Sequence, residues 1–123
     1  MSILVIEDHG QNPAELDCIL VIGDSWIDYL PELPSDKYTV CGVPGASLYT
    51  LKSYLEMELM MADYSQVVII GGKNGVDLEI LSAHQNIKLI RNDKFPDKYL
   101  LDDKTHPNSD GIQEVLKIIN QRD

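Results

Sequence analysis

Ser25 and His106 have the types and order needed to activate a hydroxyl, with a carboxylate at Asp102 or Asp103 to assist. Ser25 follows Val21-Ile22-Gly23-Asp24, one step past a β-branched apolar run. Such a position presents both the hydroxyl and the backbone N–H at the end of a strand. His106 lies in Asp102-Asp103-Lys104-Thr105-His106-Pro107-Asn108. A serine is a weak nucleophile until a base takes its proton, and histidine is the base suited to neutral pH. A carboxylate a few residues before the histidine can orient the imidazole and stabilise its protonated form.

Two glycine-containing blocks supply what acyl transfer needs next, which is donors for an oxyanion. Gly42-Val43-Pro44-Gly45-Ala46-Ser47 places Gly45 just ahead of a helix, where its N–H can approach a ligand closely. Gly71-Gly72-Lys73-Asn74 ends another apolar run and offers the Asn74 side-chain amide. Each donor aimed at a tetrahedral oxyanion is worth about 3–4 kcal/mol, and Ser25 N–H, Gly45 N–H and Asn74 would make three. Gly23, Asp24 and Gly72 are the supporting positions beside them, and Lys73 brings a positive charge. Taken singly, Ser25 reads as a helix cap, Asn74-Gly75 as a turn, and Asp103 with His106 as a solvated loop. The ordered set is what points to chemistry.

These residues need a scaffold that gathers strand ends. The runs Ile3–Ile6, Cys18–Ile22, Tyr38–Val43, Gln66–Ile70 and Ile87–Ile90 are mostly continuous rather than alternating, as for strands covered on both faces of a parallel sheet. Helical spacing spans Ser47 to Met61 (Leu48, Leu51, Tyr54, Leu55, Leu59) and Asn108 to Asn120 (Ile112, Val115, Leu116, Ile119), with Asn108 or Ser109 as the second N-cap. Strands alternating with helices predict one α/β domain over residues 1–123, with reactive groups at the carboxyl ends of its strands. After Asn74 two readings stay open: a hairpin turning at Asn74-Gly75, or a short helix capped by Asp77.

In this order, Gly23-Asp24-Ser25, Gly42-x-x-Gly45, Gly72-x-Asn74 and Asp103-x-x-His106-Pro107 resemble the four blocks of the SGNH (GDSL-type) hydrolases. The resemblance runs from about Cys18 to the C-terminus. It implies a flavodoxin-like three-layer α/β/α sandwich and a serine-dependent ester hydrolase. Ser25 would be the nucleophile, His106 the base and Asp103 its partner, favoured over Asp102 by the family spacing. Ser25, Gly45 and Asn74 would form the oxyanion hole, with no metal and no cofactor. The chain departs from the family in length: about 29 positions separate Asn74 from Asp103. That interval predicts a fold shortened by one strand-helix unit, with a shallow pocket suited to a short acyl ester of a carbohydrate or other small alcohol. Ile3–Ile6 reads as an added edge strand, Gly75 replaces the family's usual Asp, and an inactive SGNH-fold binding or structural protein is the alternative.

The chain has 20 acidic against 10 basic residues, a net charge of −10, which disfavours nucleic acid and anionic membrane as partners. No run approaches the ~20 apolar residues of a membrane span, and the N-terminus lacks the basic and apolar regions of a signal peptide. Cys18 and Cys41 make no disulfide framework; both are expected as buried, inert thiols in a cytoplasmic protein. His9 and His84 have no companions at metal-ligand spacing. A small-molecule ester is the expected partner, and the edge of a shortened sheet suggests a homodimer. Ile3-Leu4-Val5-Ile6-Glu7-Asp8 also resembles the acidic first strand of signalling receiver modules. The proline in Gln11–Leu16 and the lack of a late-strand Lys-Pro pair argue against that reading.

Overall fold

The computed structural model describes residues 4–9 and 18–121. Its strands are β1 (Leu4–His9), β2 (Ile19–Gly23), β3 (Tyr38–Gly42), β4 (Gln66–Gly71) and β5 (Asn86–Arg91), with α-helices α1 (Leu48–Met61) and α2 (Ser109–Asn120). All five apolar runs therefore enter one sheet, ordered β1-β5-β4-β2-β3. Strands β2 to β5 run parallel to one another, and β1 lies antiparallel on β5, with Val5 opposite Ile90 and Ile6 opposite Leu89. The N-terminal run is an edge strand, as its sequence suggested. Ile3 and the Gln11–Leu16 stretch lie outside the described residues.

The continuous runs of β2, β4 and β5 follow from burial on both faces, whereas β3, at the sheet edge, is only partly covered, with Val40 43% exposed. Successive side chains of a strand point to opposite sides. Leu20, Ile22, Val67, Ile69, Ile87 and Leu89 pack with Leu48, Leu51 and Leu55 of α1. Val21, Val68, Ile70 and Ile90 pack with Val115, Ile118 and Ile119 of α2, together with Trp26 and Phe95. Burying each such side chain is worth about 1.5–3 kcal/mol. Ser47 starts α1 by accepting the Thr50 N–H at 3.1 Å. Tyr54, expected on the apolar face, is instead 42% exposed. At 100° per residue it sits about 60° beyond Leu51, off the edge of the buried stripe. Lys88, in the middle of β5, is buried and donates to the Ile118 and Gln121 carbonyls at 3.1 and 3.3 Å. It ties the sheet to the C-terminal end of α2, where a cation is favoured.

The stretch after β4 is not a hairpin. Gly75 N–H donates to the Gly72 carbonyl, and Asp77 then caps a 3-10 turn, Leu78–Ala83, by accepting the Glu79 N–H at 3.0 Å. Ile80 of that turn is buried in the α1 side of the core. A parallel β5 requires such a crossover, which a two-residue hairpin cannot supply. The cysteine expectation also needs correction: both thiols are free but only half-buried. Cys18 precedes β2 and Cys41 lies on the edge strand β3, where cover is incomplete. Partial burial, with Glu58 nearby, still pushes the Cys41 thiol up and disfavours the thiolate. No described helix is long and apolar enough to cross a membrane.

Parallel pairing brings the carboxyl ends of β2, β3, β4 and β5 to one side of the sheet, with Gly23 opposite both Gly42 and Ile70, and Gly71 opposite Arg91. Helix α2 starts from the same side. Asn108 caps it through Oδ1, which accepts the Gly111 N–H at 2.9 Å, while Nδ2 donates to the Lys98 and Leu100 carbonyls. Gly111 is buried where this first turn meets the Tyr99 carbonyl, and a Cβ there would fall inside van der Waals contact of that oxygen. Gly111→Ala is therefore expected to cost about 1–3 kcal/mol through overpacking against backbone. A thermal melt unchanged from wild type would contradict that packing.

Candidate active site

Ser25 opens a 3-10 turn, Ser25–Tyr29, that begins directly after β2. Asp24 caps the turn through Oδ1, which accepts the Trp26 N–H at 3.0 Å. Trp26 is buried, packs edge-on against Phe95 at 5.0 Å, and donates its indole N–H to the Thr105 carbonyl at 2.8 Å. That bond holds the loop carrying His106 over the turn carrying Ser25. The loop is closed by an antiparallel bridge between Leu100 and Pro107, by Leu101 N–H on the His106 carbonyl, and by a turn from Lys104 N–H to the Leu101 carbonyl. Lys104 takes a left-handed conformation within it, φ 58°.

The loop brings His106 to Ser25 across 81 positions of sequence, with Ser25 Oγ 3.0 Å from His106 Nε2. His106 Nδ1 lies 2.7 Å from Asp103 Oδ2. An ionised carboxylate only accepts, so Nδ1 carries the proton and Nε2 is left to accept from the serine hydroxyl. Asp103 Oδ1 also accepts the Thr105 and His106 backbone N–H groups at 2.9 and 3.0 Å. Of the two adjacent aspartates, Asp103 is the one whose carboxylate contacts the His106 imidazole. Tyr29 stacks on the imidazole, ring centroids 5.0 Å apart and planes 20° from parallel.

The His106 side chain, followed by the two backbone N–H groups, holds the Asp103 carboxyl well below the usual carboxylate range. A folded value below the unfolded one adds stability above the unfolded value, and this is lost as pH falls through the folded value. Asp103 is half-exposed, so solvent screens that contribution. Its carboxyl carbon is expected to show no NMR titration as pH passes the ordinary aspartate value of about 3.9. A midpoint at or above that value would break the assignment of Asp103 to His106. Asp24 moves the other way: burial pushes its carboxyl up, while hydrogen bonds from Asn92 and Trp26 pull it back.

The other two blocks lie against each other. Gly45 adopts φ 77° in a turn closed by Ala46 N–H on the Val43 carbonyl. Gly75 accepts the Leu48 N–H at 2.9 Å, and Asn74 Nδ2 reaches the Ala46 carbonyl at 3.5 Å. Gly72 has φ 124°, and a Cβ there would clash with the Asp93 carboxylate. Arg91 holds that carboxylate in a two-pronged pair at 2.9 and 2.7 Å. Lys73 Nζ donates to the Lys104 carbonyl at 3.2 Å, joining the Asn74 loop to the His106 loop. Gly23 cannot carry a side chain either, since a Cβ would lie 2.7 Å from the Ile70 carbonyl oxygen.

Ser25, His106 and Asp103 are thus assembled, and the Gly45 and Asn74 segments meet beside α1. The Ser25 and Gly45 backbone N–H groups have no hydrogen-bond partner among the described residues. Asn74 is exposed, with its amide turned to Ala46 rather than bonded to the relay. Sequence reasoning missed Trp26, Tyr29 and Asn92. The sole tryptophan directly after Ser25 was the one available signal. No family model, curated protein or solved structure matches this chain.

Proposed function

We propose that this chain is a serine-dependent ester hydrolase of the SGNH type, acting through an acyl-Ser25 intermediate. The observation that carries the reading is the continuous relay from Ser25 Oγ through His106 to Asp103, with contacts of 3.0 and 2.7 Å. In the reaction, Ser25 Oγ attacks the ester carbonyl while His106 Nε2 takes its proton. Asp103 stabilises the imidazolium that forms. The oxyanion is met by the Ser25 and Gly45 N–H groups, with Asn74 swinging from Ala46 to complete the set. Collapse expels the alkoxide, which leaves as the alcohol with the proton from His106. Water, deprotonated by the same nitrogen, then attacks the acyl-serine to release the carboxylic acid and regenerate Ser25.

The architecture supports this reading as a flavodoxin-like variant. Without β1, the sheet order has the second strand first, then the first, third and fourth of the parallel set. The edge that a fifth parallel strand would fill carries β1 in antiparallel orientation, consistent with one strand-helix unit having been lost. The substrate class follows from the exposure of the site. Gly45, Asn74, Asp103 and Thr105 are exposed and Ser25 is half-buried, so the loops offer little wall for a long acyl chain. A short acyl group, acetyl being the simplest, on a carbohydrate or small alcohol fits that opening. The test is a fluorophosphonate adduct mapped to Ser25 by mass spectrometry, together with turnover of p-nitrophenyl acetate. No adduct and no turnover would leave the fold as a binding or structural protein.

A further inference from the structure

Beneath the relay runs a buried chain of hydrogen bonds whose central member has no part in it. Asn92, the first residue after β5, is fully buried. Its Nδ2 donates to Asp24 Oδ2 at 2.9 Å, and its Oδ1 accepts the Lys73 backbone N–H at 3.1 Å. Asp24 in turn accepts the Trp26 N–H through Oδ1 at 3.0 Å. The chain therefore runs from the turn that carries Ser25, through Asp24 and Asn92, to the loop that carries Asn74.

Each member can sit in only one orientation. The Lys73 N–H is a donor, so Asn92 must turn Oδ1 towards it. The Asn92 amide then needs an acceptor, and a carboxylate at position 24 supplies one. Capping the 3-10 turn requires a single oxygen, which serine or asparagine provides without burying a charge. Burial disfavours the ionised form of Asp24, so its second oxygen needs a reason, and the bond to Asn92 is that reason. Fully satisfied buried networks of this kind fix a single geometry.

We propose that Asn92 is a positioning residue that sets the separation between the nucleophile turn and the Asn74 loop. Its side chain bonds to Asp24 and to the Lys73 N–H rather than to Ser25 or His106, and it acts by locking Asp24 to Lys73. The inference rests on the hydrolase reading for its catalytic consequence, though the mechanical coupling stands apart from it. A displacement of about 1 Å between reacting groups costs on the order of 10²-fold in rate.

The test is a reciprocal exchange. Asp24→Asn alone sets two amide donors against each other, and Asn92→Asp alone sets two carboxylates together. Each single variant is expected to lower kcat for p-nitrophenyl acetate by about 10–100-fold with KM little changed. In the Asp24→Asn/Asn92→Asp pair, the amide at position 24 donates to the carboxylate at 92, which accepts the Lys73 N–H. Every hydrogen bond is restored, and kcat should recover at least about tenfold over either single variant. Losses that simply multiply in the pair would overturn the proposal. So would a pair that regains thermal stability while kcat stays low, the signature of a merely structural role. Where a single variant fails to fold, the pair decides: folded with near wild-type kcat it supports the proposal, and unfolded or slow it refutes it. A wild type that neither labels nor turns over would sink the hydrolase reading alone. The coupling is then read from hydrogen exchange of the Lys73 and Trp26 backbone amides. Both should accelerate together in Asn92→Asp and slow again in the pair; Trp26 exchange unmoved by Asn92→Asp refutes the coupling.

Discussion

Ser25→Ala is expected to eliminate the fluorophosphonate adduct and to lower ester hydrolysis on the order of 10⁴–10⁶-fold, with the fold unchanged. The fold should survive because, among the described residues, the Ser25 hydroxyl bonds only to His106, while the turn is held by the Asp24 cap and by Trp26. His106→Ala should fall to a similar floor, because a base without its nucleophile contributes as little as the reverse. The double variant should be no worse than either single one, since groups acting as a unit lose their effect together. Residual turnover would then report the oxyanion donors, the two backbone N–H groups and the Asn74 amide. A Ser25→Ala protein retaining wild-type turnover would place the chemistry elsewhere, and a rate unmoved by His106→Ala would reassign the base.

What was legible in the sequence is mostly local. Continuous β-branched runs mark buried strands because burial on both faces removes the need for alternation. Ser47 and Asn108 mark helix starts because a side-chain acceptor must meet an early N–H, and both do so. A carboxylate partner for His106 was legible at Asp102 or Asp103 because so few residues intervene, and the family resemblance favoured Asp103, three positions before it. Long-range ties left no such trace. Asn92 looks like an ordinary loop residue after β5, and only the fold brings it under Asp24, 68 positions away. The partner of β1 was equally hidden, because an edge strand of this composition could pair at either side of the sheet.

The short interval between the Asn74 and His106 blocks proves compatible with an assembled relay, for a reason visible in the connection itself. After β5 the chain makes two tight 3-10 turns, Asn92–Lys94 and Asp97–Tyr99, and returns at once to the site. Phe95 and Tyr99 bury their rings in the same cluster as Trp26. Asn108 then ties the Lys98 and Leu100 carbonyls to the start of α2. These contacts hold the His106 loop in place with no further strand beneath it. On the proposed hydrolase reading, the abbreviation removes wall rather than relay.

Asn74 is where that economy bears on rate. Asn74→Ala is expected to lower kcat by about 10²–10³-fold with a smaller change in KM, as for removal of one oxyanion donor. The amide is 3.5 Å from the Ala46 carbonyl, at the outer limit of a hydrogen bond, and exposed. Releasing it towards a developing oxyanion therefore forfeits little. A ground-state carbonyl gains little from it too, so the loss should appear in kcat. Asn74→Asp tests the sign of the interaction: a carboxylate beside the oxyanion repels where an amide donates, and turnover should fall at least as far as for alanine. Steady-state kinetics on p-nitrophenyl acetate, with fluorophosphonate labelling as a control for an intact Ser25–His106 pair, separates the outcomes. Wild-type kcat in Asn74→Ala would leave the Ser25 and Gly45 N–H groups as the whole oxyanion hole.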